Sequence, residues 1–359
     1  MGGRSPTALI RPAVGDGGRL QDWADRRLFG MIGLPERSRR QAHSRGRSAQ
    51  VILTVTLNTA LDITYRVRSL RPHASHRVSE VTERPGGKGV NVARVLAALG
   101  HEVTVTGFTG GATGRVVQER LAAVPGVMDA LVPVTGATRR TIAVVDEQTG
   151  DTTQLNEPGP MVTPAEWSAF QEAYEDLLPS ASAVALCGSL PPGVPVGAYA
   201  GLVRTARAAG VPVLLDTSGE PLRRGVAARP DIIKPNADEL AELTGSHEPL
   251  RATQDARRRG AGAVVASLGP EGLLAATREG RWRATTPTSV RGNPTGAGDS
   301  AVAGLLSGLV EHLSWPDRLA RAVALSAATV AAPVAGEFDL GHYQELRGRV
   351  TVTGEASAA

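Results

Sequence analysis

From Val51 onward, short apolar runs alternate with longer segments whose apolar residues recur every three or four positions. Residues 51–57, 103–107, 183–187, 211–215, 231–233 and 263–267 read as strands buried on both faces. Between them, residues 90–99, 164–178, 196–209 and 237–244 read as helices. Gly100, Gly210 and Gly245 stand just past three of these ends, where a left-handed residue stops a helix. Strand then helix, repeated, predicts an α/β fold with a mainly parallel sheet and helices on both faces. Two stretches break the rhythm: residues 62–68 with 76–82, and 138–145 with 152–156, alternate as exposed strands do. They predict a small β-sheet lid carried by segments of about 62–84 and 136–157.

The most informative cluster is Asn293-Pro-Thr-Gly-Ala-Gly-Asp-Ser300, which leads directly into the apolar stretch 301–310. It predicts a tight glycine turn opening into a helix. Gly296 and Gly298 permit positive φ and close approach of a ligand, and the first N–H groups of a helix lack intrahelical partners. Together with the helix dipole they form a site for anionic oxygens. Asp299 sits in the same turn, where it would repel a phosphate that was only being bound. Its position makes sense if it removes a proton from a hydroxyl. The N–H groups of Gly296, Ala297 and Gly298 would then hold the charge developing on a transferred phosphoryl group. The plain alternative is an Asp that stabilises a helix start.

Other segments add chemistry. Gly86-Gly87-Lys88-Gly89 precedes a predicted helix and supplies backbone donors, but it lacks the spacing of a P-loop. Asn236 and Glu239 lie one helical turn apart on one face, which suits either a hydrated Mg²⁺ or a capping pair. Ser267, Gly269 and Gly272 follow a strand end, the edge at which α/β sheets bind ligands. The run Gly107-Phe-Thr-Gly-Gly-Ala-Thr-Gly114 does not have dinucleotide spacing, which argues against a nicotinamide dehydrogenase.

Thr54-Val-Thr-Leu-Asn-Thr-Ala-Leu-Asp62, Pro85-Gly-Gly-Lys-Gly-Val-Asn-Val-Ala-Arg94, Gly188-Ser-Leu-Pro-Pro-Gly193, Lys234-Pro-Asn-Ala-Asp-Glu239 and Thr295-Gly-Ala-Gly-Asp299 occur in this order. No one of them is specific; five in order at this spacing are. Over residues 51–350 the chain resembles the ribokinase-like (PfkB) carbohydrate kinases, in the branch of 1-phosphofructokinase, tagatose-6-phosphate kinase and the minor 6-phosphofructokinase. The resemblance implies a ribokinase-like fold, a homodimer paired through its lids, and ATP with Mg²⁺. It implies that Gly86, Gly87 and Asn91 hold the sugar and that Asp62 accepts hydrogen bonds from its hydroxyls. Lys234, Asn236, Glu239, Ser267, Gly269 and Gly272 would face the nucleotide, with Glu239 and Asn236 acting on Mg²⁺ through water. Lys88 and the Thr138-Arg139 pair fall where phosphosugar members hold the substrate's own phosphate. Arg77 matches a lid arginine that reaches the partner's site.

The expected activity is therefore ATP-dependent phosphorylation of fructose 1-phosphate, fructose 6-phosphate or tagatose 6-phosphate to a bisphosphate. The alternatives are a kinase of an unphosphorylated sugar or nucleoside and a non-catalytic sugar-sensing regulator; retention of Asp299, Asn236 and Glu239 argues against the regulator. Thr59 replaces a usual Pro, and Asn293-Pro294 replaces an Asp-Thr or Ser-Thr pair beside a monovalent-cation site, leaving potassium dependence open.

Composition refines this picture. Hydrophobic residues make up 42% of the 359-residue chain but aromatics only 3%, so the core must rely on Val, Leu and Ala. The lone cysteine, Cys187, lies in an apolar run and excludes an internal disulfide framework; a reducing compartment, the cytoplasm, is expected. No run reaches the length of a membrane span. Residues 1–50 hold ten arginines against four acids, a charge of +6, so the rest of the +4 chain carries −2 and calls for no nucleic-acid partner. Of the 39 basic residues only Lys88 and Lys234 are lysine, and both fall inside these motifs.

Residues 1–48 lack periodicity and read as a disordered basic extension, or as the product of a start codon chosen too far upstream. Arg26-Arg27 before a short apolar run is a poor match to an export signal. The expected organisation is an extension to residue 48, a kinase domain over 49–352 and a loose tail over 353–359. Deleting residues 1–48 is expected to leave Tm and kcat unchanged, as thermal melts and turnover assays would check; a large loss of either would give the extension a role.

Overall fold

The computed structural model describes residues 50–356 apart from 288, 289, 291, 293 and 333–336. The basic extension and Asn293 thus lie outside the described residues. The chain opens with β1 (Val51–Thr56) and the lid strands β2 (Ala60–Val67) and β3 (Glu80–Gly86), followed by α1 (Lys88–Ala98), β4 (Glu102–Thr109) and α2 (Gly111–Ala122). Next come β5 (Val127–Pro133), two more lid strands, β6 (Arg139–Asp146) and β7 (Thr152–Asn156), then α3 (Pro164–Leu177) and β8 (Ala181–Cys187). Alternation resumes with α4 (Ala198–Ala208), β9 (Val213–Asp216), α5 (Gly219–Ala227), β10 (Ile232–Ile233), α6 (Ala237–Thr244), α7 (Pro249–Arg258) and β11 (Ala263–Ser267). The chain ends with β12 (Leu273–Ala276), β13 (Gly280–Thr285), α8 (Ala297–Val310), α9 (Trp315–Val330), α10 (Leu340–Arg347) and β14 (Thr351–Ala356).

The main sheet runs β14-β13-β12-β11-β10-β9-β8-β1-β4-β5. It is parallel from β11 to β5, and β12, β13 and β14 are antiparallel. Strand side chains alternate between two cores: Ile52 and Val265 face α1, α8 and α9, while Leu53, Val55 and Val264 face α3, α4 and α7. Gly100, Gly210 and Gly245 all adopt positive φ beyond their helices. The expected loose tail is corrected in part: residues 353–356 belong to β14, which pairs with β13 through the register Thr353 to Arg283. The ladder to β13 supplies the backbone partners that a short polar tail needs to be ordered.

The second sheet, β3-β2-β6-β7, is the lid. Its first hairpin is shifted from expectation: β3 starts at Glu80, and His76 instead bonds the Arg71 backbone in the connecting loop. The lid strand β7 reaches the glycine turn, where Gln154 Nε2 donates to Thr295 Oγ1 at 3.3 Å. No helix among the described residues is long and apolar enough to cross a membrane.

α8 carries the glycine turn at its N-terminus and is fixed at its other end by polar contacts. Arg321 on α9 grips Glu311 through two bonds (2.6 and 2.8 Å), and His101 meets Ser307 at 2.8 Å. Ser300 and Thr329 share a hydrogen bond of 2.6 Å within the helix interface.

Candidate active site

The parallel strands β1, β8, β9, β10 and β11 end along one edge, and neighbours diverge from β1 to β4 on one side and β8 on the other. Such an edge of an α/β sheet leaves a crevice for ligands. The crevice has a volume of about 720 Å³ and is lined by Thr56, Cys187, Asp216, Lys234 and Ser267 from these strand ends and the residues just beyond them. Asp62, Arg139 and Gln154 line it from the lid, and Gly296, Gly298 and Asp299 from the start of α8.

Gly296 adopts φ 84, the left-handed region where a side chain would be strained, and forms the N-cap of α8. Ala297 N–H closes the turn onto Pro294 O at 3.2 Å. Ala297 N–H is thus engaged within the turn, while Gly296 and Gly298 line the crevice. Asp299 is only 6% exposed, and Asn91 Nδ2 donates to its Oδ2 at 2.9 Å. Burial raises its pKa to about 6; Lys88, the Asn91 bond and Lys234 oppose the rise, while Asp216 adds to it. A carboxylate poised there is ionised at neutral pH yet basic enough to accept a hydroxyl proton. The expected result is an acid limb in kcat/KM near pH 6; kcat/KM flat down to about pH 4.5 would contradict a buried base.

On the acceptor side, Asp62 accepts from Thr141 Oγ1, and burial raises its pKa against that bond and the Arg139 and Arg94 charges. Gly86 backs this carboxylate so closely that an added Cβ would lie 2.1 Å from it. Gly87, at φ 100, packs on Thr56 in the same way. Asn91 keeps a buried Oδ1 without a partner among the described residues, an acceptor available to a ligand hydroxyl. Arg139 donates from Nε to Asn58 O (3.1 Å) and from a terminal nitrogen to Glu157 O (3.2 Å). Thr138, its expected companion, is buried and accepts from Gly110 N–H, so it braces the loop.

Asn236 and Glu239 form a reciprocal capping box on α6: each side chain accepts the other's backbone N–H at 2.8 Å. Both line the crevice, and Glu239 Oε1 stays outside the box. No group of three or more His, Cys, Asp or Glu that could hold a metal occurs among the described residues. One carboxylate beside the nucleotide edge, that of Glu239, fits Mg²⁺, which keeps its waters and leans on substrate phosphates rather than a protein cage.

Five expected site residues do not line the crevice: Gly86, which backs Asp62 from behind, Ala297 within the turn, Arg77, Gly269 and Gly272. Arg77 is exposed in the loop between β2 and β3, and Gly269 and Gly272 shape a turn closed by Leu268 N–H on Gly272 O (2.9 Å). The sequence reading also missed Asp216. It ends β9 with only 1% of its surface exposed, and both Lys88 Nζ and Lys234 Nζ lie 3.4 Å from its oxygens. Asp216 pushes the Lys88 pKa upward against burial, so this ammonium stays charged. A carboxylate directly after the run 211–215, at the ligand-binding edge of a parallel strand, was the signal available.

A buried carboxylate beside a glycine turn at a helix start, under a lid sheet, is an arrangement suited to phosphoryl transfer. The model of the pfkB family carbohydrate kinases matches residues 55–339. The chain belongs to that family. Escherichia coli phosphofructokinase-2 solved with fructose-6-phosphate is 29% identical, with TM-score 0.76, over 83% of this chain and 98% of that one. The same enzyme with potassium gives TM-score 0.78, and it has also been solved as a tetrameric inhibited form. A possible 1-phosphofructokinase from Thermotoga maritima is 28% identical, with TM-score 0.77, over 85% of this chain and all of that one.

Proposed function

We propose that the protein transfers the terminal phosphoryl group of MgATP to a free hydroxyl of a hexose phosphate (fructose 1-phosphate, fructose 6-phosphate or tagatose 6-phosphate), giving a bisphosphate and ADP. Asp299 takes the hydroxyl proton, the freed oxygen attacks phosphorus, and the bond to the ADP oxygen breaks with its electron pair. Gly296 and Gly298 N–H groups face the charge on the transferred group, and Asp62 with Asn91 orients the sugar. Glu239 beside Asn236 would hold Mg²⁺ through water, and the ion would supply charge neutralisation at the nucleotide phosphates.

The observation that carries the phosphosugar reading is Arg139. This half-buried guanidinium on the crevice wall donates only to carbonyl oxygens and makes no ion pair among the described residues. Burial lowers its pKa, with Asp62 and Glu157 opposing. A cation partly removed from water is costly until an anion pairs with it, and a substrate phosphate offsets that cost. Exposed Val81 and Leu155 on the lid strands support pairing of two lids in a homodimer, with Arg77 free to cross to the partner.

An ADP-release assay over the three hexose phosphates, with fructose, ribose and a nucleoside as controls, tests the reading. A hexose phosphate should exceed every control in kcat/KM by about 10²-fold or more. Faster turnover of an unphosphorylated acceptor would assign the protein to another branch of the family.

A further inference from the structure

Asp62, the carboxylate assigned to the acceptor's hydroxyls, stands among guanidinium groups yet makes no ion pair among the described residues; Thr141 Oγ1 is its side-chain donor. The charges of Arg139 and Arg94 both act on it, and its own charge acts on Arg94 in return. Arg139 is tied to the carbonyls of Asn58 and Glu157. Arg94, on α1, is tied to Glu337, which no sequence motif contains: Arg94 Nη2 donates to Glu337 Oε1 at 2.9 Å.

Glu337 lies between α9 and α10, 243 residues from Arg94. The same Oε1 pairs with Arg84, which stands directly opposite Asp62 in the β2–β3 ladder. Opposite residues of an antiparallel pair place their side chains on one face, so Arg84 and Asp62 share a face of the lid. Glu83, the acid next to Arg84, is already taken by Arg120 of α2 at 2.8 Å. The segment that carries Glu337 is fixed just beyond it. Phe338 meets the Tyr343 ring edge-on at 5.6 Å, and Asp339 caps α10 by accepting from His342 N–H at 2.5 Å.

The Arg94 side chain is only 12% exposed. Burial and the Arg84 charge lower its pKa to about 10, and Asp62 opposes them. Poorly screened by water, such a guanidinium is drawn strongly to any carboxylate that it can reach. A carboxylate gripped by arginine has its charge neutralised and its lone pairs occupied. A sugar hydroxyl would then have to displace a charge-assisted bond with a neutral one.

We propose that Glu337 is a positioning residue for the acceptor site: it holds Arg94, with Arg84 as its second arm, and so keeps that guanidinium off Asp62 and leaves the Asp62 carboxylate open to the acceptor's hydroxyls. The inference rests on the role given to Asp62 above.

Three variants and two crystal structures test it. Glu337→Gln should raise KM for the best hexose phosphate about tenfold or more, while ATP KM stays within about threefold. Adding Arg94→Gln to that variant should bring the acceptor KM back toward wild type, a rescue that loss of a merely structural contact would not show. Glu337→Asp, one methylene shorter and still charged, should raise acceptor KM only about threefold, and it keeps the test open if the Gln variant does not fold. In crystals of the free protein, Arg94 should lie on Glu337 and clear of Asp62 in wild type, and on Asp62 at ~2.7–2.9 Å in Glu337→Gln. Wild-type acceptor KM in folded Glu337→Gln would overturn the proposal. So would a double variant no better than the single one, or an Arg94 that stays clear of Asp62 in the variant crystal. If wild type turns over no hexose phosphate, the functional reading fails on its own, while the two crystal structures still decide whether Glu337 keeps Arg94 off Asp62.

Discussion

Asp299→Asn is expected to lower kcat by about 10²–10⁴-fold while leaving ATP KM nearly unchanged, because the lost step is proton transfer. The variant should also be as stable as wild type at pH 7, or more so. The folded-state pKa of about 6 lies above the reference of 3.8, so the ionised carboxylate costs stability above pH 6. That cost is on the order of 3 kcal/mol at neutral pH and disappears as pH falls below the reference value. Asn removes the charge and retains an oxygen for the Asn91 bond. Loss of turnover together with an equal or higher Tm would separate a catalytic role from a structural one. Wild-type kcat in a folded Asp299→Asn protein would exclude Asp299 as the base.

Arg139→Ala is expected to raise KM for the hexose phosphate by about 10²-fold, the worth of a lost charge-assisted contact of roughly 2–3 kcal/mol. ATP KM should stay within about threefold, since the nucleotide side of the crevice is untouched. The acceptor's phosphate lies away from the reacting hydroxyl, so its binding energy orients that hydroxyl, and some of the loss should reach kcat. Arg139→Lys keeps the charge but not the fork that bonds Asn58 and Glu157, and should fall between wild type and Ala. An unchanged phosphosugar KM in Arg139→Ala would remove the support for a phosphorylated acceptor.

Much of the fold was legible because local rules and global packing agree. Residues 237–244 and 263–267 were expected as a helix and a strand, and α6 and β11 occupy these spans. Gly245 ends α6 at φ 78, and Gly296 opens α8 at φ 84. At both positions the backbone needs a conformation that glycine adopts without strain, and this need shows directly in the sequence. Legibility ended where partners are distant. β14 is ordered by its ladder with β13, and nothing local to residues 351–356 signals that pairing. The shift of β3 to begin at Glu80 reflects register with β2, set by contacts across the hairpin and not by the alternation of 76–82.

The site divides in the same way. Residue types and short spacings determined the glycine turn, the carboxylate within it and the Asn236–Glu239 pair, because each depends on neighbours within one helical turn. Only the tertiary structure decided that Asn91, 208 residues from Asp299, would hold it, and that the chain's two lysines would meet on Asp216. It also decided that Arg139 would be anchored on the carbonyls of Asn58 and Glu157. Local sequence specifies backbone conformation and which groups can ionise. Burial, and the long-range charges that burial leaves unscreened, set whether a carboxylate becomes a base and which anion a given cation meets.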